Sequence, residues 1–337
     1  MSDPSNITEA PRREQLLKLL ADGQVHSGER LAEQLDITRA AVWKAIQSLR
    51  DLGIELESQH QGYCLPMPVD LYDAARIRSE LQAQSDYLER INVLFTVDST
   101  NRFVTAQPAT LPDRAVLCVA EIQQAGRGRR GRSWVAPFGS GICMSLGWLF
   151  DAVPPAFSAL TLVVGVALVR ALHQFGATEV GLKWPNDLLW RNRKLAGVLI
   201  EMRGEPDGPA HVVIGIGMNL HLPDASRQLL AEQQAVVTDL FEVLGDACPP
   251  RNVLVAVFTA QLLQVLRQFS RDGFAPFVNE WQSHDVLRAA EVNVLQGERS
   301  IAGVARGITD DGSLLVETAE GLQRFVSGEV SLRPRSI

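Results

Sequence analysis

A chain of 337 residues is longer than one compact core needs and fits two or three domains. Its hydrophobic fraction of 46% and charged fraction of 21% are those of a folded globular protein, which excludes a mainly disordered chain. A net charge of −7 argues against a general nucleic-acid coat protein, whose binding rests on positive charge.

Residues 1–6 lack the basic-then-apolar pattern of a secretory leader, and no run of about 18 uninterrupted apolar residues occurs. The best candidate, Leu160–Leu172, is broken by Gly165 and Arg170 and reads as a buried helix. Together these point to a cytoplasmic protein with no membrane partner. Cys64, Cys118, Cys143 and Cys248 are far apart and read as free thiols in a reducing compartment.

Residues 12–66 read as one unit. Arg12–Ala21 puts Leu16, Leu17, Leu19 and Leu20 on a helical stripe that Gly23 ends. Glu29–Leu35 is a second helix capped by Ser27, and Asp36–Thr38 is a turn. Arg39–Leu49 is a third helix with Ala41, Val42, Ala45, Ile46 and Leu49 inward. Ile54, Leu56 and Ser58 then face Tyr63 and Leu65 across a Gln61-Gly62 turn. Three helices and a hairpin make a winged helix-turn-helix. Its third helix is the expected recognition helix, offering Arg39, Ala40, Trp43 and Lys44 to DNA, with Arg50 as a further charge. A protein-interaction module is the other reading of so small a winged domain. Pro66-Met67-Pro68 stiffens a linker, and Asp73–Leu88 is helical.

A mixed α/β-sheet domain follows. Strands are expected at Ile91–Val97, Ala115–Glu121, Ile142–Leu149, Gly181–Trp184, Leu195–Met202 and Val212–Asn219. The apolar helix Pro155–Phe175 separates the third from the fourth, and helices Asn252–Ser270 and Phe274–Trp281 follow the last.

Gly126-Arg127-Gly128-Arg129-Arg130-Gly131 has the form of a dinucleotide fingerprint, but that motif needs a helix opening at the loop. Ser133–Gly141, which follows, holds one proline and two glycines and forms no helix. A P-loop is excluded too, since the chain has no Gly-Lys pair. What remains is a glycine-rich loop bearing Arg127, Arg129, Arg130 and Arg132, whose fork-shaped guanidiniums suit phosphate and carboxylate. Four like charges repel, so the loop is expected to be mobile until an anion binds.

Lys183-Trp184-Pro185-Asn186-Asp187 brings a lysine, an amide and a carboxylate to one strand end. Arg193-Lys194-Leu195-Ala196-Gly197 begins the next strand and sets Lys194 at a tight turn across from Asp187. Two such lysines would neutralise a phosphoanhydride. The six histidines make no metal spacing, and G-x-S-x-G and C-x-x-C are absent, so no resident metal is expected. At the C-terminus, Glu291–Leu295, Ser300–Ile308, Ser313–Glu317 and Gln323–Val326 read as strands of a small five-stranded SH3-like barrel. Turns are expected at Gln296–Glu298, Asp310–Gly312 and Ala319–Gly321.

Asp98–Asn101, Gln123 with Gly126–Arg132, Lys183–Asp187, Arg193–Gly197 and Gly215–Asn219 resemble, in order, the motifs of bacterial biotin protein ligases. With the winged segment in front, the chain is similar to the bifunctional members that also repress the biotin operon. The resemblance implies an α+β multidomain protein: winged helix-turn-helix at 1–66, class II synthetase-like catalytic domain at 67–287, and SH3-like domain at 288–337. It implies activation of biotin by ATP and Mg2+ to biotinyl-5′-AMP, then transfer to a lysine of the biotin carboxyl carrier protein. A homodimer that binds operator DNA when carrying adenylate is implied as well.

By the same resemblance Ser99, Thr100, Asn101, Gln123, Arg127, Gly128, Arg129 and Lys194 line the biotin pocket. Arg129, Arg132, Trp134, Lys183, Asn186 and Asn219 serve the nucleotide, and Lys194, Arg129, Lys183 and Asp187 form the catalytic set. Where the family presents a tryptophan to the adenine, this chain reads Gln233-Gln234-Ala235-Val236-Val237, so an adenine there meets Val236. A lipoate-type ligase and a biotin sensor without catalysis are the alternatives.

Overall fold

The computed structural model describes residues 5–204, 208–233, 235–296, 299–326 and 330–334. It divides into two compact units, Met1–Asp73 with Pro137–Gly139, and Ala74–Ala136 with Ser140–Ile337. The expected turn at Gly297-Glu298, and Gln234, lie outside the described residues.

The first unit holds α1 (Ser5–Leu20), α2 (Gly28–Gln34), α3 (Arg39–Asp51) and a hairpin of β1 (Glu57–Gln59) and β2 (Gly62–Cys64). Ser27 caps α2 by accepting the Arg30 N–H, and Thr38 caps α3 by accepting that of Ala41. Leu16, Leu17, Leu20, Leu31, Val42, Ile46 and Leu49 close the core. Gln59 pairs with Gly62, so the wing turns at His60-Gln61, one residue before the expected place. Gly62 is a strand residue, not a turn residue.

The second unit is built on a seven-stranded sheet. Its elements are α4 (Ala74–Leu81), β3 (Leu88–Val97), α5 (Thr100–Thr105), β4 (Ala115–Gln123), β5 (Gly141–Phe150), α6 (Leu160–Gln174), β6 (Gly181–Lys183) and β7 (Asp187–Trp190). β8 (Arg193–Gly204), β9 (Ala210–Asn219), α7 (Asp224–Glu232), α8 (Leu240–Leu244), α9 (Arg251–Asp272) and α10 (Val278–Ser283) follow. The strand order is β3-β4-β5-β9-β8-β7-β6, with β3 and β4 parallel and the other pairs antiparallel.

The stretch Phe157–Gln174, which contains α6, and helix α9 are long and apolar enough to cross a membrane by length and composition, yet α6 and α9 pack on each other with most of their apolar side chains buried. They are core helices of this sheet. The C-terminal strands β10 (Glu291–Gln296), β11 (Arg299–Ile308), β12 (Leu314–Thr318), β13 (Gly321–Phe325) and β14 (Val330–Pro334) form an antiparallel sheet in the order β13-β12-β11-β10-β14. Trp184 Nε1 donates to Gly312 O at 3.1 Å, tying this sheet's β11–β12 turn to the end of β6.

Asp285 follows α10, with Oδ1 accepting the Leu287 N–H at 3.0 Å and Oδ2 buried without a partner. Burial pushes its carboxyl up to about 6, against the pull of the Leu287 N–H and of Arg288. A raised carboxyl favours folding while protonated, so its contribution is full below the unfolded value near 4 and is lost as pH rises through 6. Asp285→Asn should therefore stabilise the protein at pH 8 by about 2–3 kcal/mol and do little at pH 4. Denaturant melts at the two pH values check this; an equal effect at both would contradict it.

Candidate active site

The loop after β4 and the ends of β6, β7, β8 and β9 surround one cavity. Gly215 and Gly217 lie on the same side of β9 by strand alternation, while Ile214, Ile216 and Met218 on the other side are buried. A Cβ on Gly215 would stand 2.1 Å from Asn101 Oδ1, and one on Gly217 would stand 2.4 Å from the Trp134 ring. Only glycine lets β9 approach both side chains this closely. The alternating Gly-x-Gly is thus the floor on which Asn101 and Trp134 rest.

Six cations line the cavity: Arg127, Arg129, Arg130, Arg132, Lys183 and Lys194. Asp187 is the single carboxylate among the lining residues. Its Oδ1 lies 2.6 Å from Lys194 Nζ and its Oδ2 lies 3.7 Å from Lys183 Nζ. Lys194 Nζ also sits 5.7 Å from the Trp134 ring centroid, within reach of a cation–π attraction. Arg129 is partly buried: burial lowers its pKa most, Arg130 and Arg132 lower it further, and Asp187 opposes them. Its Nη1 donates to Asn186 Oδ1 at 3.1 Å, and Asn186 Nδ2 donates to Val198 O. The cavity is built for negative charge.

The hairpin joining β7 to β8 turns at Arg191-Asn192, both with positive φ, which fits the primed turns of two-residue hairpins. Lys194 therefore lies beyond the turn, not at it. Its backbone pairs with Leu189, and Asp187 pairs with Gly197 across a register shift. Lys194 meets Asp187 through the reach of its side chain, not by facing it in the ladder.

Ser99, Thr100, Asn101, Gln123, Gly128, Trp134 and Asn186 also line the cavity. Ser99, Thr100 and Asn101 come from the start of α5, a short helix that is not among the elements expected from the sequence. Asn219 is not among the lining residues. Its Nδ2 donates instead to Thr238 O at 2.9 Å and Lys194 O at 3.4 Å. Lys194 N–H donates to Val236 O, and Thr238 N–H donates to Lys194 O, so residues 236–238 run beside Lys194. The Val236 side chain is 65% exposed there. Arg227 with Asp239, and Arg193 with Glu242, hold the following α8.

The Gly126–Arg132 loop carries contacts of its own. Gly128 N–H donates to Arg132 O, Trp134 N–H donates to Gly126 O, and Arg127 is paired with Glu201 at 2.9 Å. Arg130 and Arg132 remain exposed. In the first unit, Arg50 donates to Leu56 O and Ser58 Oγ, both at 2.8 Å, so it braces the wing instead of adding to the recognition face. Arg39, Ala40, Trp43 and Lys44 are all exposed on α3, and Arg39 reaches Glu29 Oε1 at 3.0 Å. Glu201, Ser145 and the braces of α8 escaped sequence reasoning, because none belongs to a motif with a fixed spacing.

A cavity with surplus cations around one doubly paired carboxylate, in a chain that also holds a unit of winged helix-turn-helix form, defines a class: a ligase that activates through a phosphoanhydride and carries a DNA-binding module. Residues 93–219 match the Biotin/lipoate A/B protein ligase family, 12–64 an HTH domain, and 290–333 the Biotin protein ligase C terminal domain. The bifunctional ligase/repressor BirA of Salmonella typhimurium is 38% identical over 94% of this chain and 96% of that protein. Its namesake in Bacillus subtilis is 30% identical over 95% of this chain and 98% of that protein. The structure of the biotin protein ligase from Aquifex aeolicus in complex with biotin and ATP covers 73% of this chain and 100% of its own, at 29% identity and a TM-score of 0.60. The chain belongs to the biotin protein ligase family, in its bifunctional ligase/repressor form.

Gly217→Val would drive methyl groups into the Trp134 ring, an overpacking that costs about 1–3 kcal/mol. A lowered melting temperature together with slower ATP-dependent pyrophosphate release is the expected result. Unchanged values for both would mean that Trp134 does not rest on β9.

Proposed function

We propose that this chain is an ATP-dependent biotin protein ligase and a biotin-responsive transcriptional repressor. A biotin carboxylate oxygen attacks the α-phosphorus of ATP, the bond to the β-phosphate oxygen breaks, and pyrophosphate leaves. Biotinyl-5′-AMP remains. The amine of an acceptor lysine then attacks the acyl carbon, AMP leaves, and an amide forms. The acceptor is the biotin carboxyl carrier protein. When acceptor is scarce, the adenylate-bound protein acts as a homodimer on operator DNA. Function is divided at residues 66 and 287, and the protein works in the cytoplasm.

The observation that carries this reading is the set of six cations that lines one cavity with Asp187, two of them lysines in contact with it. A carboxylate and a triphosphate repel each other, and only fixed positive charge lets them meet. Lys194 and Arg129 face the carboxylate and α-phosphate, while Lys183, Arg132, Asn186 and Trp134 serve the nucleotide. Ser99, Thr100, Asn101, Gln123, Arg127 and Gly128 receive biotin. Asp187, held by both lysines, is placed to draw the incoming acceptor amine. Asn219 acts by holding residues 236–238 against Lys194. Magnesium arrives on the triphosphate.

Mass spectrometry of a carrier domain incubated with biotin and ATP tests the whole reading. One biotinyl group on one lysine is expected. A lipoyl group taken up in preference would mean a lipoate-type ligase, and no transfer despite biotin binding would mean a sensor. Lys194→Ala and Arg129→Ala should each slow pyrophosphate release by about 2.7–4 kcal/mol of barrier; wild-type rates in both would remove these residues from the chemistry.

Arg39→Ala should weaken operator binding by about 1–3 kcal/mol per half-site and leave ligation unchanged. Fluorescence anisotropy with operator DNA reads the first effect and carrier labelling the second. Normal operator binding with impaired ligation would overturn the repressor half.

A further inference from the structure

Glu201 belongs to no motif, yet its carboxylate touches two residues of the cavity wall. It stands on β8, where Oε2 accepts from Asn101 Nδ2 at 2.8 Å and both oxygens lie 2.9 Å from Arg127 Nη2. Arg127 is 34% exposed and Glu201 31%, so the pair is shielded from solvent more than an open surface bridge. The Nε of Arg127 is buried and has no hydrogen-bond partner.

A carboxylate only accepts, so Asn101 must turn its amide nitrogen to Glu201 and its Oδ1 to Ser145. Ser145 Oγ lies 2.6 Å from that Oδ1 and 2.7 Å from Thr100 Oγ1. Thr100 Oγ1 lies 3.0 Å from Gln123 Oε1, which also accepts the Thr100 N–H at 2.8 Å. A backbone N–H only donates, so Gln123 must present its oxygen here. Both ends of the row are fixed, and two hydroxyl protons serve three oxygen–oxygen contacts. The row is one proton short.

We propose that Glu201 is a positioning residue that latches Arg127 to β8 and fixes the polarity of this row, so that the wall receives a ligand bearing N–H donors. A cyclic urea such as that of biotin has two. A ligand N–H donates to a spare lone pair of these oxygens, and the neutralised Arg127 leaves phosphate work to the other cations. This deepens the ligase reading and rests on it.

Glu201→Gln replaces the carboxylate with an amide that can turn either face to its partners. Steady-state pyrophosphate release by the full-length protein is measured against biotin and ATP separately. The KM for biotin should rise about tenfold or more, the worth of a hydrogen bond to a charged group, while the KM for ATP and kcat stay within about threefold. Glu201→Asp, which keeps the carboxylate, should retain more biotin affinity than Glu201→Gln. The double variant Glu201→Gln/Arg127→Met should lose less than the product of the two single losses, because both remove one latch. An unchanged biotin KM in Glu201→Gln, an equal rise in both KM values, the reverse order of Asp and Gln, or independent losses would each overturn the proposal. A wild-type protein inactive on biotin and ATP would overturn the ligase reading instead.

Discussion

Six cations and a single carboxylate line this cavity, and even with Arg127 paired to Glu201 that imbalance shapes everything around it. Asp187 cannot neutralise both lysines and Arg129 at once. It is already 2.6 Å from Lys194 and 3.7 Å from Lys183, and the loop arginines add to the excess. Such a site carries a standing electrostatic cost in the free protein, because like charges are held close where burial strips away water. An anionic ligand cancels that cost on arrival. The same charges that make the free site uncomfortable make the bound one stable.

The scaffold holds this charge by rigid means. Lys183 and Asp187 sit at the ends of short paired strands, and Lys194 is stitched on both sides, to Leu189 in the ladder and to residues 236–238 beyond it. Below them, the two glycines of β9 admit Asn101 and Trp134. Helices α6 and α9 pack together to give the sheet a core. The chemistry lies at strand ends and loops, where side chains converge, while the strands themselves serve to fix distance.

Much of this was legible in the sequence, and the reasons are local. The recognition helix showed through the 3.6-residue spacing of Val42, Ile46 and Leu49, and the anion loop through four arginines set among glycines. β7, at four residues, and α5, at six, are too short to leave a period in the sequence. The β7–β8 turn was misplaced because Arg191 and Asn192 lack a glycine to announce their positive φ. Glu201 was invisible for another reason. It meets Arg127 across 74 residues and Asn101 across 100, and only the sheet brings them together. Arg50 shows the same limit, since a charge on a recognition helix reads as a DNA contact until the wing is seen to occupy it.

The account stands on the claim that the arginine loop is completed by an anion. Hydrogen exchange of the Gly126–Trp134 amides, in the free protein and with biotinyl-5′-AMP bound, addresses it directly. The hydrogen bonds of Gly128 and Trp134 should open readily in the free protein, where Arg129, Arg130 and Arg132 repel one another, and exchange should slow markedly with the adenylate. Equal protection in both states would contradict the account, for the loop would then be held by its own backbone and owe nothing to the charge it meets.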